Sequence, residues 1–247
     1  MALTARRRMA AAGLAIGLVA AACGGSAQPT VSPGSHPAGS GADVARPLAA
    51  GLAANLNKLT SYRFTASNVG STGGGSYSIA GTVVNTPVAS VSIKQAGAQF
   101  IVIGAAAWTS IDGKSWMAID PQAVGATDIL PGKEYGSWFD AKASYFEVVG
   151  DETKNNVPCT HYRGNSALNS IYAGLAGSSN AAEFQADVWI AKDGNYPVSG
   201  VYGFSAPTSG SASPSGSGSW GFQFDITDVN AAANSLVQPT NVVAYPT

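Results

Sequence analysis

Chemistry in a protein needs groups that can take a proton, attack a carbon or hold a metal, and this 247-residue chain has few of them. Its two histidines stand far apart, His36 in a Gly/Ser/Pro-rich start and His161 within Val157-Pro158-Cys159-Thr160-His161-Tyr162-Arg163. Cys159, two residues from His161, reads either as a small buried hydrophobe on a strand or as a thiol made reactive by the imidazole. Carboxylates could work in pairs as acid and base. Asp120, Asp128, Asp140, Glu147, Asp151, Glu152 and Asp187 are spread along the chain, however, and no spacing singles out two for one site. The run Asp151 to Asn156 reads as a charged hairpin turn. The motifs HExxH, paired CxxC and GxSxG are absent from the sequence, which removes the local support for a zinc or serine hydrolase. Gly216 to Gly221 matches GxGxxG, but it precedes a strand pattern instead of following a strand and opening a helix, so a dinucleotide site is excluded. No catalytic residue, metal ligand or cofactor is expected, and the chain is not read as an enzyme.

The remaining reactive residue is Cys23. Arg6-Arg7-Arg8 precedes an uninterrupted run of 14 apolar or small residues, Met9 to Ala22. That is short of the roughly 20 needed to span a bilayer and has the layout of a secretory signal. The run ends Leu18-Val19-Ala20-Ala21-Ala22-Cys23-Gly24-Gly25, which resembles a bacterial lipobox, with Ala20 where that pattern favours Leu. Cleavage before Cys23 would leave it as an acylated N-terminus, and two acyl chains give durable membrane anchoring where one does not. The expected organisation is a signal peptide over 1–22, an acylated Cys and flexible tether over 23–42, and a single domain over 43–247. With Cys23 acylated, Cys159 has no intramolecular disulfide partner, so the core must hold itself.

Charge narrows the partners. Only 11% of residues are charged, against roughly a quarter in ordinary soluble domains. Removing residues 1–22 takes away three arginines and no acids and leaves a formal balance of −4. The ten Lys and Arg that remain are outnumbered by fourteen Asp and Glu, which leaves no basic footprint for tracking phosphates, so nucleic acid is excluded as a partner.

The elements that must position any site read as α+β. Leu48, Leu52, Leu56 and Leu59 form one stripe of a helix over Asp43 to Leu59, with Asp43 as a possible N-cap. Alternating segments follow at 62–66, 77–83, 88–93, 100–103, 107–111 and 115–119, the last two joined by Asp112-Gly113-Lys114, a hairpin signature. Val124 to Phe139 and Asn165 to Ala176 read as short helical or irregular covers. Strands resume at 146–149, 157–162, 184–190, 197–204 and 220–226, with a Ser/Gly-rich loop over 205–219 longer than a hairpin needs.

Taken together, the lipobox, the tether, the helix, the meander, VVGDETKNNVPCTHYRG (148–164) and VWIAKDGNYPVSGVYGF (188–204) resemble the LppX/LprAFG family of cell-envelope lipoproteins, similar in fold to LolA/LolB carriers. Asn155-Asn156 departs from that pattern, where relatives tend to carry a Gly turn, and the loop after Phe204 looks like an insertion. The resemblance implies a strongly curved antiparallel half-barrel with helices over its concave face, at the extracytoplasmic side of a cell membrane. It also implies an apolar cavity that takes a lipid or lipidated ligand, and an envelope export protein as a further partner. Candidate lining residues are Trp108, Trp116, Leu130, Trp138, Phe139, Ile171 and Leu175, for each of which ordinary core packing is the competing role and the one the pattern favours. A filled core, serving a tethered interaction or scaffolding module, is the alternative.

Overall fold

The computed structural model describes residues 48, 50–70, 77–124, 136–173, 183–205 and 220–244. Cys23, Leu130, Leu175, the signal, the tether and residues 206–219 lie outside them. Among the described residues the chain forms a large open sheet of twelve strands and a few short helices.

Strands β1 (Ser61–Gly70), β2 (Ser78–Val84), β3 (Ser90–Gln95), β4 (Ala98–Ile103), β5 (Ala106–Ser110) and β6 (Trp116–Ile119) run as an antiparallel meander. A second meander comprises β7 (Phe146–Lys154), β8 (Val157–Gly164), β9 (Glu183–Ala191), β10 (Pro197–Ser205) and β11 (Trp220–Thr227). The two halves join where β11 pairs with β1, Phe64 opposite Ile226. The final strand, β12 (Val242–Val243), was not anticipated. It pairs in parallel with β6, too short to leave an alternating signature.

Alternation was a sound guide because one face of most strands is buried. Tyr62, Phe64 and Ala66, then Ile79 and Val83, Val91 and Ile93, Phe184, Ala186, Val188 and Ile190, and Phe222, Phe224 and Ile226 form one core. Register places these side chains on a common face. Glycine is required where that core is tightest: a Cβ at Gly200 would sit 2.4 Å from the Phe224 ring and 3.1 Å from Phe139.

The helices are α1 (Leu52–Leu56), α2 (Pro121–Val124), α3 (Ser137–Ala141) and α4 (Ser166–Ala173). The helix expected over 43–59 is helical only at Leu52–Leu56 among its described residues, because Gly51 enters it with φ +86°. All four leucines are nonetheless buried. Its N-cap is not Asp43: the Asp140 carboxylate on α3 accepts the backbone N–H groups of Leu52 (2.8 Å) and Ala53 (3.3 Å). A side-chain oxygen meeting these orphan donors does the work of a local cap from 88 residues away. Gly136 allows this approach, since a Cβ there would meet Ala53 backbone at 2.9 Å.

Two turns differ from expectation. The β5–β6 connection spans five residues, with Asp112 accepting from the backbone of Lys114 and Ser115 and from the Ser110 hydroxyl. Residues 151–154 are strand, leaving Asn155-Asn156 as a two-residue turn with φ +50° and +64°. Asn tolerates that left-handed geometry. The Asn155 amide also donates to Asp225 Oδ1 (3.1 Å) and to the Ile226 carbonyl (3.1 Å), a tie that glycine cannot make.

Candidate functional site

On the core face, beside α3 and α4, the sequence places aromatic residues at every second position of three neighbouring strands: Phe184 on β9, Tyr202 and Phe204 on β10, and Phe222 and Phe224 on β11. Tyr202 lies opposite Ala186 and Phe222, and Phe204 opposite Phe184, so register gathers them into one array. Trp138 on α3 lies flat on Tyr202, with centroids 4.9 Å apart and planes 14° apart. Its edge meets Phe139 and Phe146 at 4.8 and 6.3 Å. Tyr172 on α4 stacks on Phe184 at 4.3 Å, and its hydroxyl accepts from Trp138 Nε1 at 3.0 Å, tying the two helices together.

The array has a dry side and an open side. Phe139, Phe146, Phe184 and Phe224 are buried, whereas Trp138, Tyr172, Tyr202 and Phe204 are half-buried, as is Tyr77, which lies 6.1 Å from Phe222. An array of large apolar rings left partly accessible is the usual mark of a binding surface. Its only titratable side chains are tyrosines. What it can do is take up apolar groups.

Of the residues named from the sequence, Trp138 and Phe139 are brought together here. Ile171 is 40% exposed on α4 and takes no part in the ring contacts; its neighbour Tyr172 does. Trp108 and Trp116 lie on the opposite face. Ile93 of the core pairs with Phe100, so Ile101 points the other way, and Ile101 pairs with Trp108. Trp108 and Trp116 form their own buried cluster with Ile101, packed against Ile103. They cannot line a site with Trp138.

The scattered carboxylates are corrected as well. Glu152 and Asp187 converge on His161, at 2.8 Å from Nδ1 and 2.6 Å from Nε2. The imidazole stacks on Trp189 with centroids 4.4 Å apart, and Trp189 Nε1 donates to the same Glu152 oxygen at 2.6 Å. Arg163 Nε donates to Asp187 Oδ1 at 2.9 Å, and the Lys154 ammonium lies 4.5 Å over the Trp189 ring. His161 is 7% exposed, with both nitrogens occupied, so it does not activate Cys159. That thiol donates to the Val157 carbonyl at 3.2 Å and burial pushes it up from its ordinary pKa, the state of an inert structural cysteine. No group of three or more His, Cys, Asp or Glu among the described residues is arranged to hold a metal ion. No described helix is long and apolar enough to cross a membrane.

No protein-family model and no curated protein matches the chain. Solved structures similar to it include the lipoprotein LppX of Mycobacterium tuberculosis, with 16% identity and TM-score 0.40 over 73% of this chain and 91% of that one. Others are LprF from Mycobacterium bovis, with 11% identity and TM-score 0.41 over 77% and 93%, and a LolA superfamily protein from Nitrosomonas europaea, with 10% identity and TM-score 0.25 over 72% and 90%. These fall on the same group of proteins that the sequence resembles. Likenesses so distant carry no weight for function, which rests on the chain's own residues.

Proposed function

We propose that the chain is a membrane-anchored extracytoplasmic lipoprotein that holds a lipid or other hydrophobic ligand against the half-buried rings of Trp138, Tyr172, Tyr202 and Phe204. That partly open aromatic array on the helix-bearing face is the observation that carries the reading. Covering apolar surface contributes about 25 cal/mol per Å², or about 0.8 kcal/mol per methylene, so acyl chains would be held without catalytic groups, metal or cofactor. In this reading the sheet is the curved half-barrel of the LolA type, the helices cover its concave face, and Cys23 is the acylated anchor at the end of the tether. No enzymatic step is proposed.

The second reading, a tethered interaction module with a filled core, is favoured by the packing under α1 and α3. Leu52, Leu56 and Phe139 are wholly buried, and no space for a Cβ exists at Gly200. The two readings part at the ring array. Organic extraction and native mass spectrometry of the Cys23→Ala chain, expressed in a related host, should recover a bound lipid. Protein that is free of lipid and binds no hydrophobic probe supports the filled module instead. Cys23→Ala should also release the protein from membranes; unchanged membrane association contradicts the anchor.

A further inference from the structure

His161 is enclosed by charge in a way that a structural histidine does not need. Ionised carboxylates only accept hydrogen bonds, so an imidazole facing Glu152 at Nδ1 and Asp187 at Nε2 must donate from both nitrogens, which only the protonated ring can do. The charged and titratable groups facing it are Glu152 on β7, with Lys154 beyond the Trp189 ring; Arg163 and Cys159 on β8; and Asp187 on β9. Asp151 lies alongside, paired with Lys192 at 2.6 Å. The ring thereby ties three strands together, and among the described residues β7 is an edge strand whose other side has no strand partner. Pairing of β7 with β8 is interrupted by a register shift between Val148 and Gly150, directly opposite His161. The clasp therefore sits where the edge ladder is weakest.

We propose that protonated His161 is a pH-dependent clasp that fastens β7 to the sheet and, through Phe146 at the start of β7, sets the ring array that α3 presents. Phe146 lies 5.4 Å from Phe139 and 6.3 Å from Trp138, so loosening β7 loosens the floor of the array. The second half of the proposal rests on the ligand reading above; the first does not. The sign follows from the hydrogen bonds. In acid both carboxylates are bridged. Loss of that proton to solvent at higher pH removes one hydrogen bond and sets a nitrogen lone pair against a carboxylate.

Hydrogen–deuterium exchange of the ligand-free full chain at pH 5.5 and 8.5, corrected for intrinsic rates, tests the clasp. Protection of peptides covering 146–154 should fall about tenfold at the higher pH relative to peptides covering 197–205, the loss of one charged hydrogen bond. His161→Gln should abolish that difference. Equal wild-type protection at both pH values overturns the clasp, as does a difference that persists in His161→Gln, or in Glu152→Gln should the first variant not fold. The fluorescent probe 8-anilinonaphthalene-1-sulfonate should bind more weakly at pH 8.5. Equal affinity at both pH values overturns the link to the array, and no binding at either contradicts the ligand reading while leaving the exchange result to stand.

Discussion

Two pairs of rings stack at the same angle on opposite faces of the sheet and do opposite things. Trp138 on Tyr202 and His161 on Trp189 both have planes 14° apart. Around the first pair are other rings, with one side left half-open. Around the second are Glu152, Asp187, Arg163 and Lys154, which occupy both imidazole nitrogens, the indole N–H and the outer face of Trp189. Ring stacking alone therefore does not make a site. Accessibility and unspent apolar surface distinguish them, and of these two pairs Trp138 on Tyr202 has both.

The strongest way to break this comparison is to remove the ring beneath the open pair. Phe139→Ala should cost about 3–5 kcal/mol, read in denaturant melts, because the side chain is wholly buried between Phe146 and Phe224. Trp108→Ala should cost about 3 kcal/mol yet leave hydrophobic-probe affinity unchanged, since that ring lies on the other face. A loss of probe binding there would overturn the assignment of faces. Trp138→Ala should do the reverse, weakening probe binding about tenfold or more with a smaller loss of stability. Asn155→Gly should cost about 1 kcal/mol, because glycine keeps the turn and loses the amide's ties to Val198, Asp225 and Ile226. The smallest effect concerns Asp112. Backbone N–H groups of Ser115 and Lys114, then the Ser110 hydroxyl, hold its carboxyl down to about 2 from an ordinary 3.8. Its contribution is present above about pH 4 and is lost as pH falls towards 2, so Asp112→Asn should flatten that limb of an acid titration of stability.

The contrast between the two faces also explains what could be read in advance. The strands were legible because Phe184, Tyr202, Phe204, Phe222 and Phe224 fall on every second residue, and one-sided burial writes that period into the sequence. Trp138 and Phe139 were legible as residues of a cover over the sheet. Tyr172 fell in the covering segment too but not among the lining residues: Ser166, Asn169 and Ser170 make one side of α4 polar, and Leu168, Ile171 and Tyr172 share the other, so the pattern does not say which of them meets the rings. The face of Trp108 and Trp116 was hidden for a different reason. The β3–β6 region buries side chains on both sides, Val91 and Ile93 on one and Ile101, Trp108 and Trp116 on the other, so alternation no longer distinguishes in from out. The cluster around His161 and the capping of α1 by Asp140 depend on register and on contacts between residues far apart in sequence, which no local pattern records.

The central claim is that the open ring pair is where an apolar ligand sits, and native mass spectrometry of Cys23→Ala protein and of Cys23→Ala/Trp138→Ala protein, prepared alike, tests it most directly. A lipid adduct retained by the first and depleted in the second, with both proteins folded, is the predicted result. Lipid-free protein in both preparations, or equal adduct in the two, would contradict it.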